Sequence, residues 1–108
     1  MSMTREALVL ALNELLKPQH FQDYCPNGLQ VEGRPDIQRL VTGVTASQAL
    51  LDAAVVAQAD AVLVHHGYFW KSESPCLVGM KGRRIRTLMN AEMNLLAYHL
   101  PLDCHPEL

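Results

Sequence analysis

The chain has 108 residues, of which 49% are hydrophobic and 19% are charged, and its formal net charge is −2. This length is typical of one domain, and this balance excludes an intrinsically disordered chain. The small negative charge gives no support to binding of nucleic acid or of a membrane surface. Five histidines accompany only two phenylalanines, and we expect their positions to indicate the function.

The cysteines and the apolar segments favour a cytoplasmic protein. The three cysteines are widely spaced, at Cys25, Cys76 and Cys104. Because no C-x-x-C pair is present, we expect reduced thiols that pack as small hydrophobic side chains. The apolar run 7–12 is interrupted by polar residues and lacks the features of a signal peptide. No apolar run approaches the roughly eighteen residues that a membrane span requires.

The first third of the chain predicts one helix followed by an irregular region. Apolar residues recur at helical spacing over residues 4–16, which predicts an amphipathic helix. Pro18 follows this segment and is expected to end the helix. The Asn27-Gly28 pair favours a turn because both residues tolerate positive φ angles. Residues 29–32 are expected to form a short strand.

From residue 39 onward, predicted strands alternate with predicted helices. The strands are predicted at 39–45, 61–64 and 94–98, and the helices at 48–57, with Ser47 as N-cap, and at 83–91. This order predicts two right-handed βαβ units, and therefore an α/β fold with a mostly parallel βαβαβ sheet flanked by helices. We find no repeat or linker and expect a single α/β domain over residues 1–108.

Histidines follow two of the predicted strands. His65 and His66 come directly after one strand, and His99 comes after the next, with Asp103 and His105 close behind. The carboxyl ends of parallel strands meet at one edge of a sheet, so we expect four histidines and a carboxylate to converge there. Imidazole and carboxylate groups suit zinc, iron, manganese or nickel, and no set of thiolates competes with them. The sequence therefore predicts a site for divalent metal ions.

The geometry of that site leaves alternatives open. Adjacent histidines in a regular strand point to opposite faces, so His65 and His66 share one ion only if the chain leaves the strand between them, which Gly67 would permit. Alternatively, each binds one ion of a two-metal centre bridged by Asp103, and such a centre can activate water. Pro101 predicts that residues 99–103 form a loop. A surface or helix-capping histidine pair is the alternative to any metal site.

Three further features have weaker implications. Four cations cluster at the start of the last predicted helix: Lys81, Arg83, Arg84 and Arg86. A solvated face is favoured there over a phosphate site. An aromatic run follows the histidine pair: Tyr68, Phe69 and Trp70. These rings are expected in the core or an interface, and stacking on a flat heterocycle is the alternative. His20 is expected to be exposed to solvent.

Four segments together resemble a known family. They are DYCPNGLQVEG (23–33), VTGVTASQALLDAA (41–54), ADAVLVHHGYFWK (59–71) and YHLPLDCHPEL (98–108). This combination closely resembles the bacterial NIF-three-like family, whose members are commonly labelled GTP cyclohydrolase 1 type 2 homologues. The resemblance implies a fold of two related halves, of which this chain is the first. It also implies a dinuclear metal centre and a homo-oligomer in the form of a toroidal hexamer.

The resemblance also implies roles for individual residues. His65, His66 and Asp103 match metal ligands of the family. His99 matches a histidine beside the metal ions, with a supporting or proton-transfer role. The remaining family ligands, a histidine and a glutamate, fall in the part of the pattern beyond residue 108. The chain is therefore expected to be the N-terminal portion of a longer family pattern.

Three functional hypotheses follow. The first, implied by the resemblance, is a dinuclear-metal-dependent hydrolase acting on a nucleotide-like small molecule. The second is a non-catalytic metal-binding scaffold or regulatory partner protein, in which metal ions organise an assembly. The third is an inactive fragment, because part of the ligand set is missing. Apolar surface left exposed where the second half would pack is expected to promote self-association.

Overall fold

Strands and helices alternate along most of the chain, as the sequence predicts. The computed structural model describes residues 2–103 and residue 105. In chain order, their elements are β1 (Met3–Thr4), α1 (Arg5–Leu16), a short 3-10 helix (Pro18–His20), β2 (Gly28–Val31), β3 (Asp36–Ile37), β4 (Leu40–Thr45), α2 (Gln48–Val56), β5 (Ala61–His66), α3 (Gly79–Asn90), β6 (Asn94–Ala97) and α4 (Leu100–Asp103).

Of the three long helices, α1 and α2 begin at a capping side chain and α3 does not. The Thr4 hydroxyl accepts a hydrogen bond from the Ala7 N–H group and starts α1, and the Ser47 hydroxyl caps α2 in the same way, as predicted. The exception is α3, which begins at Gly79 without a side-chain cap, four residues before the predicted start. Its first turn packs closely on the carbonyl group of Leu77, where a Cβ atom on Gly82 would lie 2.6 Å from the oxygen.

The central sheet has four strands in the order β2-β6-β5-β4. Strands β4, β5 and β6 are parallel, and β2 is antiparallel to β6. Val62 of β5 lies between Val41 of β4 and Leu95 of β6, which fixes the register of the three parallel strands. Helices α2 and α3 make the crossovers, so the predicted pair of βαβ units in a mostly parallel sheet is confirmed. Strands β1 and β3 form a separate antiparallel pair.

Helices cover both faces of this sheet. On one face, Val62 and Val64 pack with buried side chains of α2 and α3, such as Leu51 and Leu88. The opposite face packs on α1 through a second cluster, whose buried members are Leu8, Leu16, Ile37, Ala61, Leu96 and Tyr98. Because β5 and β6 are covered on both sides, their sequences are nearly continuous apolar runs. This packing holds the carboxyl ends of β5 and β6 at a fixed separation.

The edge strand β4 is covered less completely. Helix α1 packs on β2 and β3, and Leu40 and Val44 of β4 remain 39% and 67% exposed. The outer part of one sheet face is therefore an open apolar strip, made by Leu40 and Val44 with Thr42 between them.

No helix in the described part of the chain is long and apolar enough to cross a membrane.

The cysteines match the prediction in part. Cys25 is a free thiol and is buried, and this burial raises its pKa to about 11. Cys76 is also free, but it is exposed because it lies on the surface loop before α3. The expectation that it packs as a small hydrophobic side chain is therefore wrong. Cys104 lies outside the described residues.

Candidate metal centre

Three histidines meet at the carboxyl edge of the sheet. The ring centroids of His65 and His66 are 4.3 Å apart, and the ring of His99 lies 4.8 Å from the first and 5.4 Å from the second. One nitrogen from each ring lies within 4.8 Å of the other two. The expectation that parallel strands end at one edge of the sheet therefore identified the position of this cluster. The assignment of His65 and His66 as metal ligands stays a prediction.

The histidine pair is brought together without a break in the strand. Strand β5 continues through His66, which is paired with Thr45 of β4. The expectation that the chain must leave the strand between His65 and His66 is therefore wrong. Strand β6 ends at Ala97, opposite Val64, so no β6 residue is paired with either histidine and their side chains can lean over the edge of the sheet.

Gly67 has a different role from the predicted one. A Cβ atom at this position would collide with the side-chain oxygen of Gln30 and would lie 2.7 Å from the Cβ atom of Ala97. The same oxygen of Gln30 accepts a hydrogen bond from the Tyr68 N–H group (2.8 Å), and its amide nitrogen donates to the Tyr68 carbonyl oxygen (2.9 Å). Gly67 therefore makes room for a side chain that holds the segment after the histidines.

Asp103 reaches the cluster from α4. Its Oδ1 atom lies 2.9 Å from Nε2 of His65, and its side chain is 52% exposed. The predicted loop at this position is wrong, because Leu100–Asp103 is one helical turn in which the Asp103 N–H group donates to the carbonyl oxygen of His99 (3.2 Å). Pro101 is compatible with this turn because a proline in the first turn of a helix needs no N–H partner.

A buried nitrogen without a hydrogen bond lies inside the cluster. Nε2 of His65 is shielded from solvent and makes no hydrogen bond. An oxygen of Asp103 lies 2.9 Å away and makes an electrostatic contact with this nitrogen, but the pair does not have the geometry of a hydrogen bond. A bound cation is a partner that would satisfy this nitrogen. The donor set of imidazole and carboxylate fits zinc, iron, manganese or nickel.

The electrostatics of His66 are compatible with a metal ligand. Burial lowers its pKa, and the neighbouring rings of His65 and His99 lower it further, whereas Asp103 acts in the opposite direction. The net effect is a lowered pKa, which favours the neutral imidazole. The neutral ring is the form that binds a metal ion.

Sequence reasoning missed Asp23, which lies directly behind the cluster. Its side chain is only 2% exposed, and its Oδ1 atom lies 2.9 Å from Nδ1 of His99. Burial alone would raise its pKa, but hydrogen bonds from Leu100, His99, Asn27 and Tyr24 outweigh burial and lower the pKa to about 2. Asp23 precedes the turn at Asn27, but no spacing pattern connects it with a histidine 76 residues away.

The aromatic residues after the histidines have separate surroundings. Tyr68 is buried and donates its hydroxyl hydrogen to the carbonyl oxygen of Ala46, so it belongs to the core as expected. Phe69 packs against the same core, under the ammonium group of Lys81. Trp70 contacts the site, with its ring edge-to-face with His99 at 4.9 Å between centroids. Of these three rings, Trp70 is the one beside the histidines.

The other two histidines lie elsewhere. His20 is exposed in the short 3-10 helix, as predicted. His105 lines a separate surface cavity together with His20, Leu16 and Phe21. The expected convergence of four histidines is therefore wrong for His105, because the turn of α4 separates it from the three that meet.

The basic cluster on α3 is only partly a solvated face. Arg83 and Arg86 are exposed, as expected. Lys81 is mostly buried, since its ammonium group lies 3.6 Å from a carboxylate oxygen of Glu73 and over the ring of Phe69. Arg84 is half-buried. The four cations thus have different surroundings and do not form one anion-binding surface.

Comparison with known proteins identifies relatives along the whole described chain. The family model Duf34/NIF3 (NGG1p interacting factor 3) matches residues 3–107. A GTP cyclohydrolase 1 type 2 homolog from Pseudomonas aeruginosa is 65% identical over 107 residues, covering 99% of this chain and 42% of that protein. The homolog of the same name from Vibrio cholerae is 62% identical over 106 residues, covering 98% of this chain and 42% of that protein.

Solved structures with the same fold also match this chain. A structure described as protein ybgI, of unknown function, superposes with a TM-score of 0.96 at 58% identity, covering 98% of this chain and 43% of that chain. A crystal structure of a Thermus thermophilus protein gives a TM-score of 0.92 at 42% identity, with 97% and 43% covered. The chain thus spans less than half the length of the relatives that it matches. The resemblance predicted from the four sequence segments is confirmed, and the chain belongs to the Duf34/NIF3 family.

Proposed function

We propose that this protein binds divalent metal ions through His65, His66 and Asp103, as part of a dinuclear-metal-dependent hydrolase. The observation that carries the proposal is the buried Nε2 atom of His65, which makes no hydrogen bond although it lies beside two other imidazoles and 2.9 Å from a carboxylate oxygen of Asp103. Metal ions bound at such a site supply an activated water molecule for hydrolysis.

The residues around the ions have distinct roles in this proposal. His65 and His66 offer neutral nitrogen ligands from the end of β5. Asp103 offers a carboxylate whose negative charge offsets part of the charge of the ions, and its exposure leaves that side of the site open to a substrate. His99 lies beside the ligands, where its free ring nitrogen is available to accept a proton.

A nucleotide-like small molecule is the proposed substrate class. The ring of Trp70 lies beside His99 and His66 and is half-buried, which gives the site an aromatic wall suited to a flat heterocycle. The names of the relatives refer to a GTP cyclohydrolase, whose substrate belongs to this class.

Self-association into a ring-shaped hexamer and a cytoplasmic location are part of the same proposal.

The metal content of the purified protein tests the site. Mass spectrometry of wild-type protein is expected to find a stoichiometric divalent metal, which is lost in His65→Ala. The matched control is His20→Ala, which removes an exposed histidine outside the cluster and is expected to keep the metal. Wild-type protein without stoichiometric metal, or a His65→Ala variant with unchanged content, would overturn the proposal.

A metal-binding scaffold without catalysis is the second candidate. It is favoured by the small number of candidate ligands among the described residues, because His65, His66 and Asp103 are few for two ions. A turnover screen over nucleotides and phosphoesters separates the two functions. Activity that is lost in Asp103→Asn while the assembly stays intact favours the hydrolase. Metal-loaded protein without turnover of any substrate favours the scaffold, and protein with neither property is the inactive fragment.

A further inference from the structure

The buried side chain of Asp23 makes hydrogen bonds with four different residues, and three of these partners can only donate. Its Oδ1 atom accepts from the Tyr24 N–H group (2.7 Å) and lies 2.9 Å from Nδ1 of His99. Its Oδ2 atom accepts from the Leu100 N–H group (2.8 Å) and from the Asn27 amide (3.1 Å). A carboxylate has about four positions for such bonds, and a protonated carboxyl group has fewer. Three N–H donors on its two oxygens favour the ionised carboxylate, which only accepts hydrogen bonds.

An ionised Asp23 fixes the position of the proton on His99. Because ionised Asp23 cannot donate, the hydrogen between Oδ1 and Nδ1 must belong to the imidazole. A neutral ring that carries its proton on Nδ1 has an unshared electron pair on Nε2. Since Nδ1 is occupied by Asp23, Nε2 is the nitrogen that His99 offers to the cluster with His65 and His66.

The same loop also positions the backbone at this point. The side-chain oxygen of Asn27 accepts from the His99 N–H group (2.7 Å), and Asp23 accepts from the N–H group of Leu100, the first residue of α4. Helix α4 carries Asp103 to the cluster. One loop therefore holds both the ring of His99 and the turn that carries a candidate metal ligand.

We infer that Asp23 is a positioning residue, which holds His99 as the Nδ1–H tautomer with Nε2 facing the cluster and anchors the first turn of α4 beneath Asp103. Only the use of Nε2 beside metal ions rests on the proposed function. The tautomer is a property of the metal-free protein, so the two ideas can fail separately.

Long-range proton–nitrogen NMR of full-length protein labelled on histidine reads the tautomer directly. The His99 signals are assigned by their loss in His99→Gln, and the spectra are recorded after removal of metal by a chelator. Wild-type protein is expected to show His99 protonated on Nδ1 and unprotonated on Nε2. A wild-type His99 protonated on Nε2, or an equal mixture of the two forms, would overturn the inference.

Two variants of the loop separate the role of Asp23 from general loop stability. Asp23→Ala is expected to abolish the preference for the Nδ1–H form. Asn27→Ala removes a neighbouring side chain of the same loop but leaves the contact between Asp23 and His99, and is expected to keep the preference. The inference is contradicted if His99 keeps its preference for the Nδ1–H form in Asp23→Ala. It is also contradicted if Asn27→Ala loses this preference while Asp23→Ala keeps it.

Titration with Zn²⁺ tests the link to Asp103. Removal of a group that orients a metal site typically weakens metal binding about 10-fold to 100-fold, and we expect a loss of this size in Asp23→Ala. Unchanged Zn²⁺ affinity in that variant would overturn the role in holding α4. If wild-type protein shows the Nδ1–H tautomer but binds no Zn²⁺, the proposed function fails while the tautomer assignment stands.

Discussion

Trp70 is the large aromatic side chain that contacts the imidazoles, with its ring centroid 4.9 Å from that of His99 and 6.1 Å from that of His66. If a flat heterocycle packs on this ring, Trp70→Leu removes an aromatic contact worth about 0.5–1.5 kcal/mol. We expect KM for a nucleotide-like substrate to rise about two- to tenfold, with the metal content unchanged. Steady-state kinetics test this, with Phe21→Leu as a control at a ring that borders a different cavity. A KM that is the same for Trp70→Leu and wild type would exclude the stacking role.

Individual site residues were predictable to different degrees. His65, His66 and His99 follow strands in sequence, and parallel strands end at one edge, so their meeting follows from the pattern alone. Asp23 was not predictable, because its contact with His99 depends on a loop whose path only the folded chain defines. His105 was placed wrongly for a similar reason, since the direction of the chain after Asp103 depends on the helical turn of α4.

The amino ends of the strands are held by Asp60, which precedes β5. Its side chain is 11% exposed and accepts from the N–H groups of Gln38 and Arg39, and it forms a 2.8 Å ion pair with Arg34. Hydrogen bonds to a charged group contribute about 1.5–3 kcal/mol. We expect Asp60→Asn to lower the free energy of unfolding at pH 7 by about 2 kcal/mol, measured by urea denaturation.

The pH dependence of that loss has a defined sign. Burial alone would raise the pKa of Asp60, but its hydrogen bonds and the Arg34 charge outweigh burial and lower it. Its contribution is therefore full above the unfolded-state pKa of about 3.9 and is lost as the pH falls through the lower folded-state pKa. The stability difference between wild type and Asp60→Asn should thus stay constant from pH 7 to about pH 4 and narrow as the pH falls further towards about 2.5. Parallel stability curves over this range would contradict the assignment.

The turn of α4 shows where element prediction from sequence reached its limit. A proline disfavours helical geometry at the preceding residue, so Pro101 predicted a loop. In the folded chain the hydrogen bond from Leu100 to Asp23 and that from Asp103 to His99 stabilise one helical turn around Pro101. The first of these bonds joins residues 77 positions apart, so the local sequence around Pro101 cannot reveal it. The longer elements, by contrast, were predicted within a few residues because their apolar periodicity is strong.

Gly67 connects β5 to the segment that carries Trp70. Gly67→Ala would place a methyl group against Gln30 and Ala97, and overpacking of this kind typically costs about 1–3 kcal/mol. We expect a lower free energy of unfolding and, because Gln30 holds Tyr68, a displaced Trp70. Urea denaturation and the tryptophan fluorescence spectrum of the folded variant report these two effects. If Gly67→Ala has wild-type stability and an unchanged spectrum, the absence of a Cβ atom at residue 67 is not required for the packing of Gln30 and Tyr68.

At the scale of the whole molecule, the fold class was predictable because strands and helices alternate at βαβ spacings. The pairing of β2 with β6 and the separate pair of β1 with β3 were not predicted. These short strands carry little periodicity of their own, and their positions depend on packing against α1.

The open apolar strip on β4 is the surface on which self-association would depend. Val44 is 67% exposed on an edge strand, and Val56 is 85% exposed on α2, which packs on the other face of the sheet. Surface changes usually alter stability by less than about 0.5 kcal/mol. We expect Val44→Lys to keep the fold but reduce the assembly to smaller species, and Val56→Lys to leave it intact. Size-exclusion chromatography with light scattering measures both, and an unchanged mass for Val44→Lys would contradict this use of the strip.

The proposed metal ion lies at the carboxyl edge of the sheet, between His65, His66 and Asp103. The most direct measurement is anomalous X-ray scattering from crystals of the metal-loaded full-length protein, collected on both sides of the absorption edge of the bound metal. We expect anomalous peaks about 2.0–2.2 Å from nitrogens of His65 and His66 and from an oxygen of Asp103. Loaded crystals with no peak within ligand distance of these three residues, or with a peak only elsewhere, would contradict it.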